Sequence, residues 1–233
     1  MHGDVPIPDA WPPPMGAAVT VPMFPLRGVF LLPRQVLPLH VFEPRYRQLI
    51  EDVLDEQGRL VLATVLDEQP ARPARGDATD PTGADAAPGE VTAPAPAPPR
   101  VLPIAGLGEI ARHDKTPDGR YFIWLFGVGR HALEEVESDR LYRRVRARPL
   151  QELDPSPKEA RALSPRLREA LASRSEAPLD LPSDIPLAVL ADSLSSKLHL
   201  PQAAMEPIFC ELDVARRAAL VLEAHEAFPP PRL

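Results

Sequence analysis

Four groups of residues have types and spacings that invite chemistry. The first is Ser193-Leu194-Ser195-Ser196-Lys197, where a lysine amine could act as base toward a serine hydroxyl. Leu194 stands three before Lys197, so no S-x-x-K element forms, and the helical pattern predicts solvent-facing serines and lysine. The second is Gly127-Val128-Gly129-Arg130-His131-Ala132, a G-x-G-x-x-A match after an apolar strand, with Glu152 about 20 residues on. A dinucleotide turn must open a long helix whose N-terminus holds the pyrophosphate. The segment after Ala132 is short, acidic and soon β-like again, so these glycines are predicted to allow a tight turn between two strands.

The third group is His2, His40, His113, His131, His199 and His225 with the single Cys210. No H-x-x-x-H and no paired cysteine exists, and zinc needs three or four convergent ligands, so no metal is predicted. Cys210 sits among Ile208, Phe209 and Leu212, the setting of a buried inert thiol. The fourth is LYRRVRARP, which carries Arg143, Arg144, Arg146 and Arg148 just after Arg140. In a strand Tyr142, Arg144, Arg146 and Arg148 share one face, and arginines beside an aromatic could grip phosphates. Against this nucleic-acid reading stand Glu134, Glu135, Glu137 and Asp139 just upstream, placed to pair with the arginines across a hairpin. A solvated, ion-paired face is the expectation. No G-x-x-x-x-G-K-[ST] loop exists either. The sequence thus offers no catalytic residue and calls for no cofactor.

Composition agrees with a non-catalytic chain. A net charge of -7 argues against a general nucleic-acid binder. One cysteine excludes an internal disulfide framework and suits a reducing cytoplasm. No apolar run reaches the ~20 residues of a membrane span, and no basic-then-apolar leader follows Met1. Proline is the outlier, with 32 of 233 residues. It clusters over 1–19, around Trp11, and over 70–100, ending APAPAPPR. Such stretches bury too little to offset their ordering entropy, so they are expected to be a loose arm and a flexible Pro/Ala-rich insertion.

The elements that must position any site lie between and after these stretches. Val21–Leu26 and Val36–Phe42 are short β-type runs, and Pro22, Pro25, Pro33 and Pro38 predict strands that are edge-like, bulged or short. Pro44 opens a helix with Tyr46, Leu49, Ile50, Val53 and Leu54 on one stripe. Leu60–Leu66 reads as a buried strand. β pattern resumes at Val101–Arg112, where Gly106 and Gly108 suggest a bulge or a close backbone approach. Asp118-Gly119 turns the chain into Tyr121–Val128, followed by His131–Val136 and Leu141–Leu150. From about Pro155 the period becomes helical: Lys158–Ser173 interrupted by Pro165, then a Ser183-capped helix with Leu187, Leu190, Ala191, Leu194 and Leu198 inward. Pro201–Leu212 and an Asp213-capped last helix complete the chain.

Several of these stretches resemble the N-terminal (LON) domain of Lon proteases, and more closely its short stand-alone bacterial relatives. They are Pro22-Met23-Phe24-Pro25-Leu26, Val29–Pro33, and above all Leu37-Pro38-Leu39-His40-Val41-Phe42-Glu43-Pro44-Arg45-Tyr46. The likeness continues in Leu107–Arg112, Pro117–Arg120 and Val128–Leu133, then in Leu190-Ala191-Asp192 with Leu198 and in Cys210–Arg216. Arg34 departs from it, standing where the family usually has Gly. The resemblance implies an α+β fold: a β-rich, PUA-like pseudo-barrel with one inserted helix, followed by a C-terminal helical bundle. The implied domains are a 20–152 β-rich unit, a 153–228 helical subdomain and a 229–233 tail. It further implies a binding module for protein or unfolded polypeptide, an adaptor beside a separate protease, with no ATPase or Ser/Lys protease part. The residues to watch are Arg27, Phe30 and Leu31 on the first turn, and Arg45. Because PUA domains include RNA binders, Tyr142, Arg144, Arg146 and Arg148 are the alternative contact set.

Overall fold

Alternation along the first strand decides what the sheet encloses. β1 (Val19–Arg27) sends Val21 and Met23 to one face and Phe24 to the other, all buried. The computed structural model describes residues 18–66, 98–175 and 179–228. The expectations for the arm up to residue 17 with Trp11, for nearly all of the 70–100 insertion and for the tail lie outside the described residues, and Val19, expected as the end of the arm, already belongs to β1.

Five further strands follow: β2 (Val36–Val41), β3 (Arg59–Val65), β4 (Ile104–Lys115), β5 (Tyr121–Val136) and β6 (Arg144–Pro149). They order as β2-β5-β4-β3-β1-β6, and β6 also pairs with β5. β5, β4, β3, β1 and β6 therefore close into a ring, with β2 attached outside it on β5. Every ring strand supplies an alternate row to the enclosed core, including Met23, Val61, Ala105, Leu107, Val128, Val145 and Ala147. The opposite row, with Phe24, Leu60, Leu62, Ile123 and Leu125, packs against α1 (Pro44–Leu54) through Tyr46, Leu49, Ile50 and Val53. β3 precedes the insertion and β4 follows it, yet the two are hydrogen-bonded neighbours, so the halves on either side of it form one sheet.

The prolines fall differently from the expectation. β2 is an edge, but β1 is nine residues long and paired on both sides. Its two ladders use successive halves: Val19–Pro22 bond β6 and Met23–Arg27 bond β3. The Met23 N–H still donates to the Arg143 carbonyl on the β6 side, 2.8 Å. By period 2, Pro25 turns its nitrogen to that same side, beyond the end of the β6 ladder. Pro22 turns its nitrogen toward β3, one residue before that ladder starts. Neither missing N–H removes a bond, which is why a doubly paired strand tolerates both.

The Gly127–Gly129 region differs too. It makes no turn, because Tyr121–Val136 is one continuous strand. β5 gives one edge first to β2, along Tyr121–Phe126, and then to β6, along His131–Val136. Glycine between these halves clears space for the loop that crosses them: a Cβ on Gly127 would lie 2.0 Å from the Leu32 carbonyl oxygen, and one on Gly106 2.3 Å from that of Leu31. The ladder between β4 and β5 also shifts register at Leu107/Gly108. Both readings of the β4 glycines, bulge and close approach, hold.

Four helices finish the chain: α2 (Pro157–Ser173), α3 (Leu187–Lys197), α4 (Gln202–Cys210) and α5 (Val214–Ala227). α2 runs unbroken through Pro165, which lies on the exposed side of the helix. Its start is fixed by a Ser156–Glu159 capping box. α3 starts after Pro186 and not at Ser183; the Ser183 and Pro182 carbonyls instead accept from Arg168. Leu187, Leu190, Ala191, Leu194 and Leu198 are all buried as expected, joined by Leu32 from the crossing loop.

Candidate functional site

A cleft of about 710 Å³ opens where the β6 ladder leaves β1. Its walls are Met23, Pro25 and Leu26 of β1, Val65 at the end of β3, Pro98 and Pro99, Tyr46 of α1, and Leu141 and Tyr142 before β6. Three guanidinium groups line it, those of Arg27, Arg45 and Arg143, and no carboxylate does among the described residues. Its floor is formed by Met23, Tyr46, Val65 and Tyr142, each of them buried. Leu141 is 68% exposed at the mouth, held by its N–H on Gln48 Oε1.

The polar wall groups are fixed by their neighbours. The Arg45 guanidinium lies 2.8 Å from Glu43 Oε2 and stacks 4.4 Å over the Tyr46 ring. Arg143 donates to both oxygens of Glu135 at 2.7 and 2.6 Å, and to the Pro99 carbonyl at 2.8 Å. That pairing, above all the hydrogen bond, holds the Glu135 carboxyl below its usual range. Tyr142 donates to Asp52 at 2.6 Å. Burial first, then the Asp52 carboxylate, pushes the Tyr142 phenol up to about 12.

Of the four residues singled out for partner binding, the cleft brings together Arg27 and Arg45. Leu31 is fully buried in the α1-side core, and Phe30 is half-buried with its ring 5.3 Å from Phe209 of α4. These two stitch the crossing loop to both cores; Leu31 presents no surface to a partner, and Phe30 keeps only part of its ring exposed, away from the cleft. Sequence reasoning missed Leu141, Tyr46 and Arg143 as cleft groups. Arg143 has the opposite parity to Arg144, Arg146 and Arg148, and that was the available signal.

The alternative set is also divided. Arg144, Arg146 and Arg148 alternate with buried Val145 and Ala147 on β6, as a shared outer face requires. Tyr142 is buried off that face. The acidic stretch meets the arginines as expected, with Glu134 opposite Arg146 and Arg143 chelating Glu135.

A second ionic cluster lies between ring and helices, buried except for the partly exposed Glu152. Arg130 of β5 donates to Asp192 of α3 at 2.8 and 3.2 Å, to Glu152 at 2.8 Å and to the Phe209 carbonyl at 2.8 Å. Burial works against its charge, but Asp192 and then Glu152 outweigh it and raise the guanidinium further. Arg217 of α5 places Nη2 2.9 Å from Glu152 and Nε 3.2 Å from Asp192, without the alignment of hydrogen bonds; Nη1 donates to the Glu211 carbonyl at 2.8 Å. Glu152, which the dinucleotide reading would place on a ribose, is thus occupied by two arginines. Ser195 is likewise buried, its Oγ donating to the Ala191 carbonyl at 2.9 Å, against the expected exposure. Burial raises the Cys210 thiol, which keeps it protonated.

No described helix is long and apolar enough to cross a membrane. A family model for the ATP-dependent protease La (LON) substrate-binding domain matches residues 20–224. Lon protease 2 of Sorangium cellulosum (strain So ce56) is 28% identical over 226 residues, 92% of this chain and 25% of that protein. The chain therefore spans about a quarter of the length of this curated relative. Two solved structures share the fold. The N-terminal domain of Mycobacterium avium complex Lon protease superposes with a TM-score of 0.62 at 15% identity, over 89% of this chain and 98% of its own. The Lon N-terminal domain protein from Xanthomonas campestris gives 0.55 at 20% identity, over 91% and 99%.

Proposed function

This chain belongs to the family of LON substrate-binding domains, and from that premise we propose that it binds protein segments, unfolded polypeptide above all, in the cleft between β1, α1 and the Leu141–Arg143 connection. The observation that carries the reading is the cleft itself, a concavity of about 710 Å³ with apolar walls and three guanidinium groups. An apolar side chain of a bound segment would displace water from Leu26, Val65 and Leu141, while polar groups meet the rim. In this reading the chain acts in the cytoplasm as an adaptor in proteolysis or quality control, presents its cargo to a separate protease, and performs no covalent step. The family match falls on the substrate-binding domain alone, which supports that division of labour.

Titrating a chemically unfolded, fluorescently labelled model protein against the chain tests this. Saturable binding is expected, weakened by Leu141→Asp, which places a charge on the most exposed apolar wall. No binding up to about 1 mM, weaker than about 4 kcal/mol of affinity, would remove the proposal.

A further inference from the structure

The edge of β1 that borders the cleft is blunted. Pro25 turns a nitrogen without hydrogen toward it, so a continued backbone ladder would lack one donor at that position. Backbone bonds do not tell one side chain from another, so selectivity rests on the lining side chains. The lining supplies two kinds: apolar surface from Met23, Leu26, Val65 and Leu141, and positive charge from Arg27, Arg45 and Arg143, with no carboxylate among the described lining residues.

Arg45 and Arg143 at the rim are held but not used up. A guanidinium has five N–H donors. Arg143 gives one to each of two Glu135 oxygens and one to the Pro99 carbonyl, and Arg45 is held by Glu43. Both keep donors beyond these bonds, and their acids fix where those donors point. Glu43 and Glu135 stand outside the lining, so the groups that meet a guest are the cations.

We infer that the cleft selects extended polypeptide segments in which a carboxylate side chain stands beside a large apolar one. This deepens the reading of the cleft as the protein-binding site and rests on it. The apolar side chain takes the Leu26–Val65–Leu141 wall, and the carboxylate meets the Arg27–Arg45–Arg143 rim. Glu43 and Glu135 offset part of the positive charge, which keeps the contribution of one carboxylate modest.

Three labelled peptides of about a dozen residues, identical in their large apolar positions and carrying Glu, Gln or Lys between them, separate the outcomes in an anisotropy titration. Glu is expected to bind about fivefold more tightly than Gln, with Lys weakest. The Glu–Lys gap should narrow at about 0.5 M salt. It should also narrow in Arg27→Gln and in Arg45→Gln, two exposed substitutions, so one misfolded variant leaves the other to decide. Equal affinity for all three peptides overturns the charge selection while leaving polypeptide binding intact. A Glu preference that survives both arginine substitutions overturns the assignment to this rim. Failure of all three peptides and of the unfolded model protein to bind removes the cleft reading itself.

Discussion

Two sets of arginines in this molecule are close to identical in chemistry and opposite in setting. Arg130 and Arg217 expose 1% and 0% of their side chains, sealed between the ring and the helices against Asp192, with Glu152 closing the cluster from its partly exposed side. Arg45 and Arg143 expose 51% and 21%, each tied to one outward carboxylate at the cleft rim. In the sealed set two positive groups and two negative ones balance inside a medium that screens poorly, so each charge depends on the others. At the rim water shares the load, and an arginine can keep its acid and still meet a guest. The residue type alone says nothing about which job it has; the surroundings decide.

The largest test of that contrast is Asp192→Ala. It leaves two buried guanidinium groups with Glu152 as their one remaining carboxylate, and removing one member of a buried ion pair costs about 3–5 kcal/mol. Urea unfolding should show a loss in that range. The matching change at the rim, Glu135→Gln, should cost at most about 1 kcal/mol, because the pair is half-exposed. Equal losses at the two sites would erase the distinction between them.

The ring strands and helices are legible in the sequence because hydrophobic periodicity and proline placement are local. Pro44 as first helical residue, the Leu187–Leu198 stripe and the Asp213 cap all rest on neighbours within a turn or two. The sealed cluster is illegible for the opposite reason. Arg130, Glu152, Asp192 and Arg217 come from β5, the link to α2, α3 and α5, and nothing local announces that they meet. Read locally, Arg130 belongs to a turn, yet a charged residue inside a β run that stays apolar on alternate positions is the trace such a cluster leaves. Leu31 likewise reads as a surface residue, because its burial depends on the distant Gly106, Gly108 and Gly127. The cleft is half-legible: Arg27 and Arg45 lie within the stretch that carries the family resemblance, while Leu141 and Arg143 come from far along the chain.

Tyr142 sits at the border of the two regimes, buried like the sealed arginines but bonded to an acid at the surface. Burial, and then the Asp52 carboxylate, pushes its phenol up to about 12 from an ordinary 10.0. A raised folded value favours the protonated form in the native state. The contribution is therefore complete below pH 10 and is lost as the pH rises toward 12. Tyr142→Phe should cost about 1–2 kcal/mol at neutral pH through the lost bond to a charged acceptor. It should also flatten the fall in stability between those two pH values. An unchanged alkaline slope in the variant would show that other groups govern that limb.

Arg34 supplies a third setting and the smallest effect. It stands outside the cleft lining, and its distinguishing feature is a backbone φ of 63°, in the left-handed region. The family usually has Gly at this step after Pro33, and the backbone here keeps the glycine-like turn despite the side chain. Its N–H donates to the Gly127 carbonyl at 2.7 Å and that of Gly127 to the Gln35 carbonyl at 2.8 Å, so the loop is held in place by β5 and not by the local preference of residue 34. Holding a non-glycine residue there costs about 1 kcal/mol or more. Arg34→Gly removes that cost but gives the unfolded chain more freedom, worth about 0.4–1 kcal/mol in the other direction. The two terms nearly cancel, so a change within about 0.5 kcal/mol of zero is expected in urea unfolding, with peptide affinity unchanged because the position lies outside the cleft. A loss of stability beyond that range would mean that the side chain of Arg34 contributes more than its backbone costs, and would place it with the structural arginines after all.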